Sequence, residues 1–413
     1  MALAASLTVT VRFATGPSFG IPLVLDDVTS PLNTGVLGTS AARAVDVTSR
    51  CQWVSTRRGR SRVLDTFEGG TASARLIDLT GEFDPDNGTY AGDIKPMIQF
   101  QVKATHGGTE RALFSGYITK WDYQYRQDVD AAYVTIEAVD GERLLNLATV
   151  NSVTGASAGQ DTGARIGKIL DAVSWPTTGR NLDTGNTTCQ VDDGSERTAL
   201  AAIRKAAETE IGGFYMDGSG QARFVSRHES IKKADGTPTA FDDTGAEIPF
   251  VALDFNTDDT VIANNVSATR AGGAKQAVTD SDSIDEFFVR PLDRTGLLME
   301  SDTVALDYAR AILATRKDAD LRIKAVQVDA TADVTATVNA ALDTDFFDPI
   351  KVTRAQPGGG TVTRTLTVQG IAHDINPTRW LTTFNTAEPL VDGLVLDSST
   401  RGKLDDSAAI LAF

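Results

Sequence analysis

The sequence predicts a β-rich α+β protein, with two β-barrel or sandwich domains and a smaller α+β domain between them. Three observations carry this. Residues 7–148 fall into short runs of alternating apolar and polar residues separated by turn formers, the period of strands with one buried face. From about residue 149 the apolar residues recur at helical spacing. After about residue 249 the alternation returns, interrupted by one helical stretch.

In the first domain, residues 1–148, LTVTVRF (Leu7 to Phe13) alternates cleanly, and residues 16–50 are loop-rich with a strand or two. Val45, Val47, Cys51 and Trp53 resume the alternation, and ASARLIDL is a further strand. In PMIQFQVKA, Ile98, Phe100 and Val102 share one face; ALFSGYITKWDYQY and AAYVTIEAVD complete the series.

The α+β domain covers 149–230. DTGARIGKILDAVSW predicts a helix with Ile166, Ile169, Leu170 and Val173 on one face and Asp161 or Thr162 as its cap. SERTALAAIRKAAETEIGG predicts a second, with Ser195 as N-cap, a Leu200–Ile203–Ala207 stripe and a stop at Gly212–Gly213. GFYMDGSGQARFVSR reads as a hairpin turning at Asp217–Gly220. Residues 231–248 are polar and turn-rich and predict a linker or long loop.

The second β domain is 249–390. It has strands in FVALDF and VIANNVSATR, a flexible acidic loop in AGGAKQAVTDSDSIDE, and one helix from about Asp302 to Lys317 carrying Val304, Tyr308 and Ile312. LRIKAVQVDAT, DPIKVTRA, TVTRTLTVQGIAHDI and RWLTTFNTA close it, and residues 391–413 form a C-terminal tail.

Composition narrows the function. The 413 residues are 41% hydrophobic and 23% charged, an ordinary globular balance with length for more than one core. Lys and Arg total 39 against 55 Asp and Glu, a net charge of −16. Such a chain repels phosphate and is a poor candidate for wrapping nucleic acid. Cys51 and Cys189 stand alone, without the spacing of a disulfide framework or zinc site. No apolar stretch approaches a membrane span, and the start MALAASLTVTVRF lacks the pattern of a signal peptide. A chain made and folded in a reducing cytoplasm is expected.

No catalytic, cofactor-binding or metal-binding residue is predicted. His106, His228 and His373 have no zinc-enzyme spacing, Gly218-Ser219-Gly220 is hairpin chemistry, and QPGGGT lacks the Lys-Ser/Thr of a phosphate loop. The acids around GEFDPDN invite a calcium reading. Yet Pro85 follows the first acid of DPDNG, and Lys95 stands where a calcium loop needs its last Glu. Asp84, Pro85, Asn87 and Gly88 are instead the residues of a turn.

Certain motifs follow one another in order: Arg58-Gly59-Arg60, Gly70-Thr71-Ala72, Leu76 to Asn87, Ile94-Lys95-Pro96 and Leu113 to Ile118. This series resembles the N-terminal part of minor tail proteins of long-tailed, siphovirus-type bacteriophages, particularly those of actinobacteria. Asp78 stands where that family more often has Asn. AAIRKAAETEIGGFYMDGSGQARFVSR looks like the helix-plus-hairpin of tail hub proteins, and VQGIAHDINPTRWLTTF like their closing strands, so the resemblance covers most of 45–390.

The resemblance implies a structural virion protein, a baseplate hub, and no enzyme. Its β domains would be tube-like. Its copies would form a ring, a homotrimer of pseudo-sixfold symmetry, stacked on the distal tail protein ring and joined to other tail-tip proteins or a central fibre. Phage DNA would touch it only in passing through an acidic lumen. It would be assembled in the host cytoplasm and reside at the virion tail tip. Arg58 and Arg60 are candidates for an inter-subunit or inter-ring contact, or else a solvated hairpin turn. Asp84 and Asn87 face either solvent or the next ring. Trp53, Trp121 and Trp380 are core or interface anchors, and Phe83 is core. Two other readings stay open: a receptor- or carbohydrate-binding module, and a tail-borne cell-wall hydrolase.

Overall fold

A computed structural model describes residues 3–13, 43–60, 66–126, 131–256, 261–318, 322–332 and 334–389. The expected tail 391–413 and most of the 16–50 loop lie outside them. The fold is the β-rich α+β class expected. Seven strands of the first region are Ser6–Phe13 (β1), Arg43–Asp46 (β2), Cys51–Gly59 (β3), Glu68–Asp78 (β4), Gln99–His106 (β5), Thr109–Arg126 (β6) and Ala131–Val139 (β7). They lie in the order β3-β4-β7-β6-β5-β1-β2 and pair antiparallel throughout. The alternation read in the sequence becomes one buried face. Val9, Val11 and Phe13 of β1 pack with Phe100, Val102 and Ala104 of β5 and with Ala74 and Leu76 of β4. Burying each of the larger side chains contributes about 1.5–3 kcal/mol.

The sheet does not stop at β3. Its outer edge pairs with Thr361–Asn376, from the far end of the chain, with Arg58 opposite Ile371 and Val54 opposite Ile375. Thr361–Asn376 also pairs with Pro349–Ala355 and Arg379–Ala387, and Arg322–Asp329 and Ala252–Asn256 follow beside the latter. The two β regions therefore share one fourteen-stranded hydrogen-bonded sheet and one apolar core.

Between them, helices Glu142–Leu147 (α1), Thr162–Ala172 (α2) and Ala199–Glu210 (α3) pack on a three-stranded sheet of Arg180–Leu182, Gly213–Met216 and Ala222–Val225. Asp161 caps α2, its carboxylate accepting from the Ala164 amide at 2.8 Å. The expected cap Ser195 is displaced: α3 starts later, capped by Thr198. Arg197–Thr198 first pairs with Thr149–Val150 as a short strand, which holds the chain extended past Ser195. The helix ends at Ile211, in the left-handed region at φ 57°.

The 231–248 stretch, expected as a linker, is largely structured. Helix Arg227–Ala234 (α4) enters it behind the cap Ser226, and Thr239–Asp242 joins the large sheet in parallel with Pro349–Ala355. Beyond it, Asn265–Arg270 pairs with Gln276–Thr279 and Pro291–Leu297 in a separate small sheet. The expected helix is Asp302–Arg316 (α6), covering that sheet with Tyr308 and Ile312 buried. Two helices join the one expected here. Ser281–Phe287 (α5) occupies the supposed flexible acidic loop, and Thr335–Asp343 (α7) precedes the closing strands.

Candidate functional site

Strand β4 ends at Asp78, buried to 3% exposure, and everything after it is turn chemistry. The Asp78 carboxylate accepts from the backbone amides of Glu82 at 3.0 Å and Phe83 at 2.8 Å. Arg50 pairs with Glu82 at 2.6 Å and lies over the ring of buried Phe83. Asp84 accepts from the amides of Asp86 and Asn87, each at 2.9 Å, closing the turn through its own side chain. These amide bonds, from Asn87 first and Asp86 second, hold the Asp84 carboxyl below the usual carboxylate range. Tyr125 of β6 donates its hydroxyl to the other Asp84 oxygen at 3.1 Å. Gly88 completes the turn by close approach, since a Cβ there would lie 2.4 Å from the Glu82 carbonyl oxygen.

Asp84 is half-buried, and Pro85, Asp86 and Asn87 are exposed. Leu79 at 71% and Tyr125 at 61% exposure stand beside them. Asp78, Ala132 and Tyr125 align across β4, β7 and β6, so this apolar and turn surface marks one end of the sheet. Among the described residues, no group of three or more His, Cys, Asp and Glu is placed to hold a metal ion.

The other candidates point inward. Gly59 takes φ +99° and lies so close to Thr361–Asn376 that a Cβ would come within 2.4 Å of the Gln369 carbonyl oxygen. Arg60 then turns under the sheet edge at 6% exposure. Its amide donates to the Gln369 carbonyl and its Nε to the Gln369 side-chain oxygen, both at 2.9 Å. Its guanidinium sits 4.4 Å from the Phe67 ring centroid and 5.8 Å from that of Phe347. Arg58 lies over Phe346 at 5.2 Å, with Asp345 at 3.9 Å. The alternative of a solvated hairpin turn is corrected: the Arg-Gly-Arg stretch is the seam between the two β regions.

Behind the seam lies an ionic cluster that the sequence reading missed. Asp140, at the end of β7, accepts from the amides of Gly70 and Glu142. Glu142 accepts from Arg204 of α3 at 2.7 Å, and Arg204 also donates to the Phe67 carbonyl. Burial pushes the Asp140 carboxyl up; burial, then the neighbouring Asp140, pushes Glu142 up. The second Glu142 oxygen, Oε1, has no hydrogen-bond partner among the described residues. The only signal in the sequence was an acid-x-acid step after a strand, which surface turns share.

The histidines stay apart. His106 faces Asn339, His228 is exposed on α4, and His373 is buried against Trp380 and Thr382, where burial lowers it to about 3. Trp121 is half-buried near Phe83, and Trp380 is 1% exposed. No helix among the described residues is long and apolar enough to cross a membrane.

By sequence, the chain matches no protein-family model and no curated protein. By structure it is similar to a tail protein from Neisseria meningitidis MC58, with TM-score 0.58 and 10% identity over 93% of this chain and 96% of that one. It is also similar to the 43 kDa tail protein of prophage MuSo2 from Shewanella oneidensis, with TM-score 0.52 and 13% identity over 84% and 95%. At these identities the likeness is one of fold.

Proposed function

We propose that this chain is a structural protein of a bacteriophage tail, a minor tail protein or baseplate hub subunit. The observation that carries the reading is the near end-to-end likeness to a solved tail protein, 93% of this chain against 96% of the other. A likeness across nearly all of both chains favours a shared architecture over a borrowed module.

In this reading the β regions 1–148 and 249–390 build the wall of a ring and the 149–230 unit sits against it. The ring is a homotrimer that joins the tail tube or distal tail ring to the tip and takes part in DNA ejection. Other tip proteins or a central fibre are its neighbours, and the tail tip is its place in the virion. The charge of −16 suits a conduit that DNA must pass without sticking. The turn at Asp84–Asn87, with Leu79 and Tyr125 beside it, meets the next ring. Arg58 and Arg60 serve assembly indirectly, by holding the two β regions in one wall. The protein carries out no catalysis.

Negative-stain electron microscopy and sedimentation of the full chain test this. Rings of three copies are expected, together with antibody labelling at the tip of tail particles. A uniform monomer in solution, absent from purified particles, refutes the reading. Turnover of purified cell wall by the protein would instead favour a hydrolase.

A further inference from the structure

The loop from α5 to Pro291–Leu297 presents an aromatic side chain that the fold itself does not bury. Phe288 is 84% exposed and Val289 51%. The Phe288 backbone has φ 61° and ψ 171°, a region that residues other than glycine almost never occupy. A side chain held in such a conformation ordinarily gains packing in return, and this one points to solvent.

The conformation is imposed by Asn264, which is 0% exposed. Its side-chain amide donates to the Phe288 carbonyl at 2.8 Å and to Ser283 Oγ at 3.1 Å, and its side-chain oxygen accepts from the Arg290 amide at 2.7 Å. Its backbone amide donates to the Arg290 carbonyl, and its own carbonyl accepts from the Asp280 amide. One buried residue thus clamps the chain on both sides of Phe288 and Val289. A residue so fully hydrogen-bonded makes the loop rigid rather than frayed.

The flank is acidic. Asp282, Asp285 and Glu286 are exposed on α5, and their spacing of three and four residues puts them on one helix face. The neighbouring cations are engaged locally, Lys317 with Asp280 at 3.0 Å and Arg290 with the Phe287 carbonyl at 3.1 Å.

We propose that Phe288 and Val289 form the apolar centre of a docking surface for a different protein, one offering an apolar pocket rimmed by Lys and Arg. Interfaces ordinarily have an aromatic centre and a polar, solvent-accessible rim, the place the α5 carboxylates would take here. Charge selects the partner. Docking on a second copy would bring three carboxylates onto a chain of net charge −16, whereas a cationic rim attracts them. The inference does not depend on the partner being a tail protein.

The test places the photoreactive residue p-benzoylphenylalanine at 288 in the full chain and irradiates the cells that make it. The control places it at Val191, which is 65% exposed elsewhere on the surface. The expected result is an adduct at one defined, Lys/Arg-bearing peptide of another protein, absent from the control. Its yield should fall about tenfold or more when D282K, D285K and E286K are added. An adduct to this chain, labelling no different from the control, or a yield indifferent to charge reversal each overturns the proposal. Thermal unfolding of Phe288→Gly supplies an independent readout. An unchanged or higher midpoint is expected, and a lower one would make Phe288 a packing residue and overturn the proposal as well.

Discussion

Truncating Arg60 separates a seam from a surface contact. In Arg60→Ala the Gln369 side-chain oxygen loses a charged donor at 2.9 Å inside a buried site, a loss of about 1.5–3 kcal/mol. The guanidinium over Phe67 at 4.4 Å is desolvated, and its removal takes about 1–2 kcal/mol more. Loss of the side-chain stem, which is buried with it, adds to both. The first two losses sum to a destabilisation of about 2.5–5 kcal/mol before the stem is counted, large for a single substitution. Arg60→Lys keeps the charge but not the planar fork or the stacking, and about half that loss is expected. The assay is urea unfolding of the full chain followed by near-ultraviolet circular dichroism. Asn87→Ala, at an exposed turn position, serves as the reference and should stay within about 0.5 kcal/mol of the parent. If Arg60→Ala is equally mild, the guanidinium does not hold the two β regions together and the seam argument fails.

Other outcomes follow from the same geometry. Asp78→Ala leaves the buried amide of Phe83 and the part-buried amide of Glu82 without their acceptor and should cost about 1–3 kcal/mol, with Asp78→Asn nearer 1, read by the same unfolding curves. The Asp140–Glu142 pair should make the protein lose stability as pH rises. Burial holds both carboxyls above their ordinary values, so the folded state binds more protons than the unfolded chain. The benefit is therefore full only below about pH 4, falls as the unfolded carboxyls ionise, and is gone once the folded pair ionises near pH 7 to 8. Glu142→Gln should flatten that loss between about pH 4 and pH 8, and a slope unchanged from the parent would remove the pair as its cause. Burial pushes the thiols of Cys51 and Cys189 up to about 12, so both should resist a thiol-specific dye near pH 8 until denaturant is added. Rapid labelling of the native protein would contradict the burial of Cys189 and the partial burial of Cys51.

What the sequence determined alone is what neighbouring residues decide between themselves. The alternation of β1 and β5, an α2 cap at Asp161 or Thr162, the hairpin at Asp217–Gly220 and the turn closed by Asp84 all rest on residues a few positions apart, with the choice of Asp161 made by the fold. Their chemistry is therefore written in short stretches. Helices α4, α5 and α7 escaped because each is short and buries few apolar side chains, so none shows a sustained stripe. Ser195 and Thr198 are equally good caps, and only the pairing of Arg197–Thr198 with Thr149–Val150 chooses between them. The pairing of β3 with Thr361–Asn376 joins residues some three hundred positions apart, which no local period encodes. That one pairing decides the character of the Arg-Gly-Arg stretch. Two arginines in sequence are by default solvated, and they become the inside of a seam only because a distant strand, with Phe346 and Phe347 from just before its neighbour Pro349–Ala355, closes over them. The opposite case is the acidic run GEFDPDN, whose role as a turn was legible locally, while its place beside Leu79 and Tyr125 at the end of the sheet depended on how β4, β7 and β6 align.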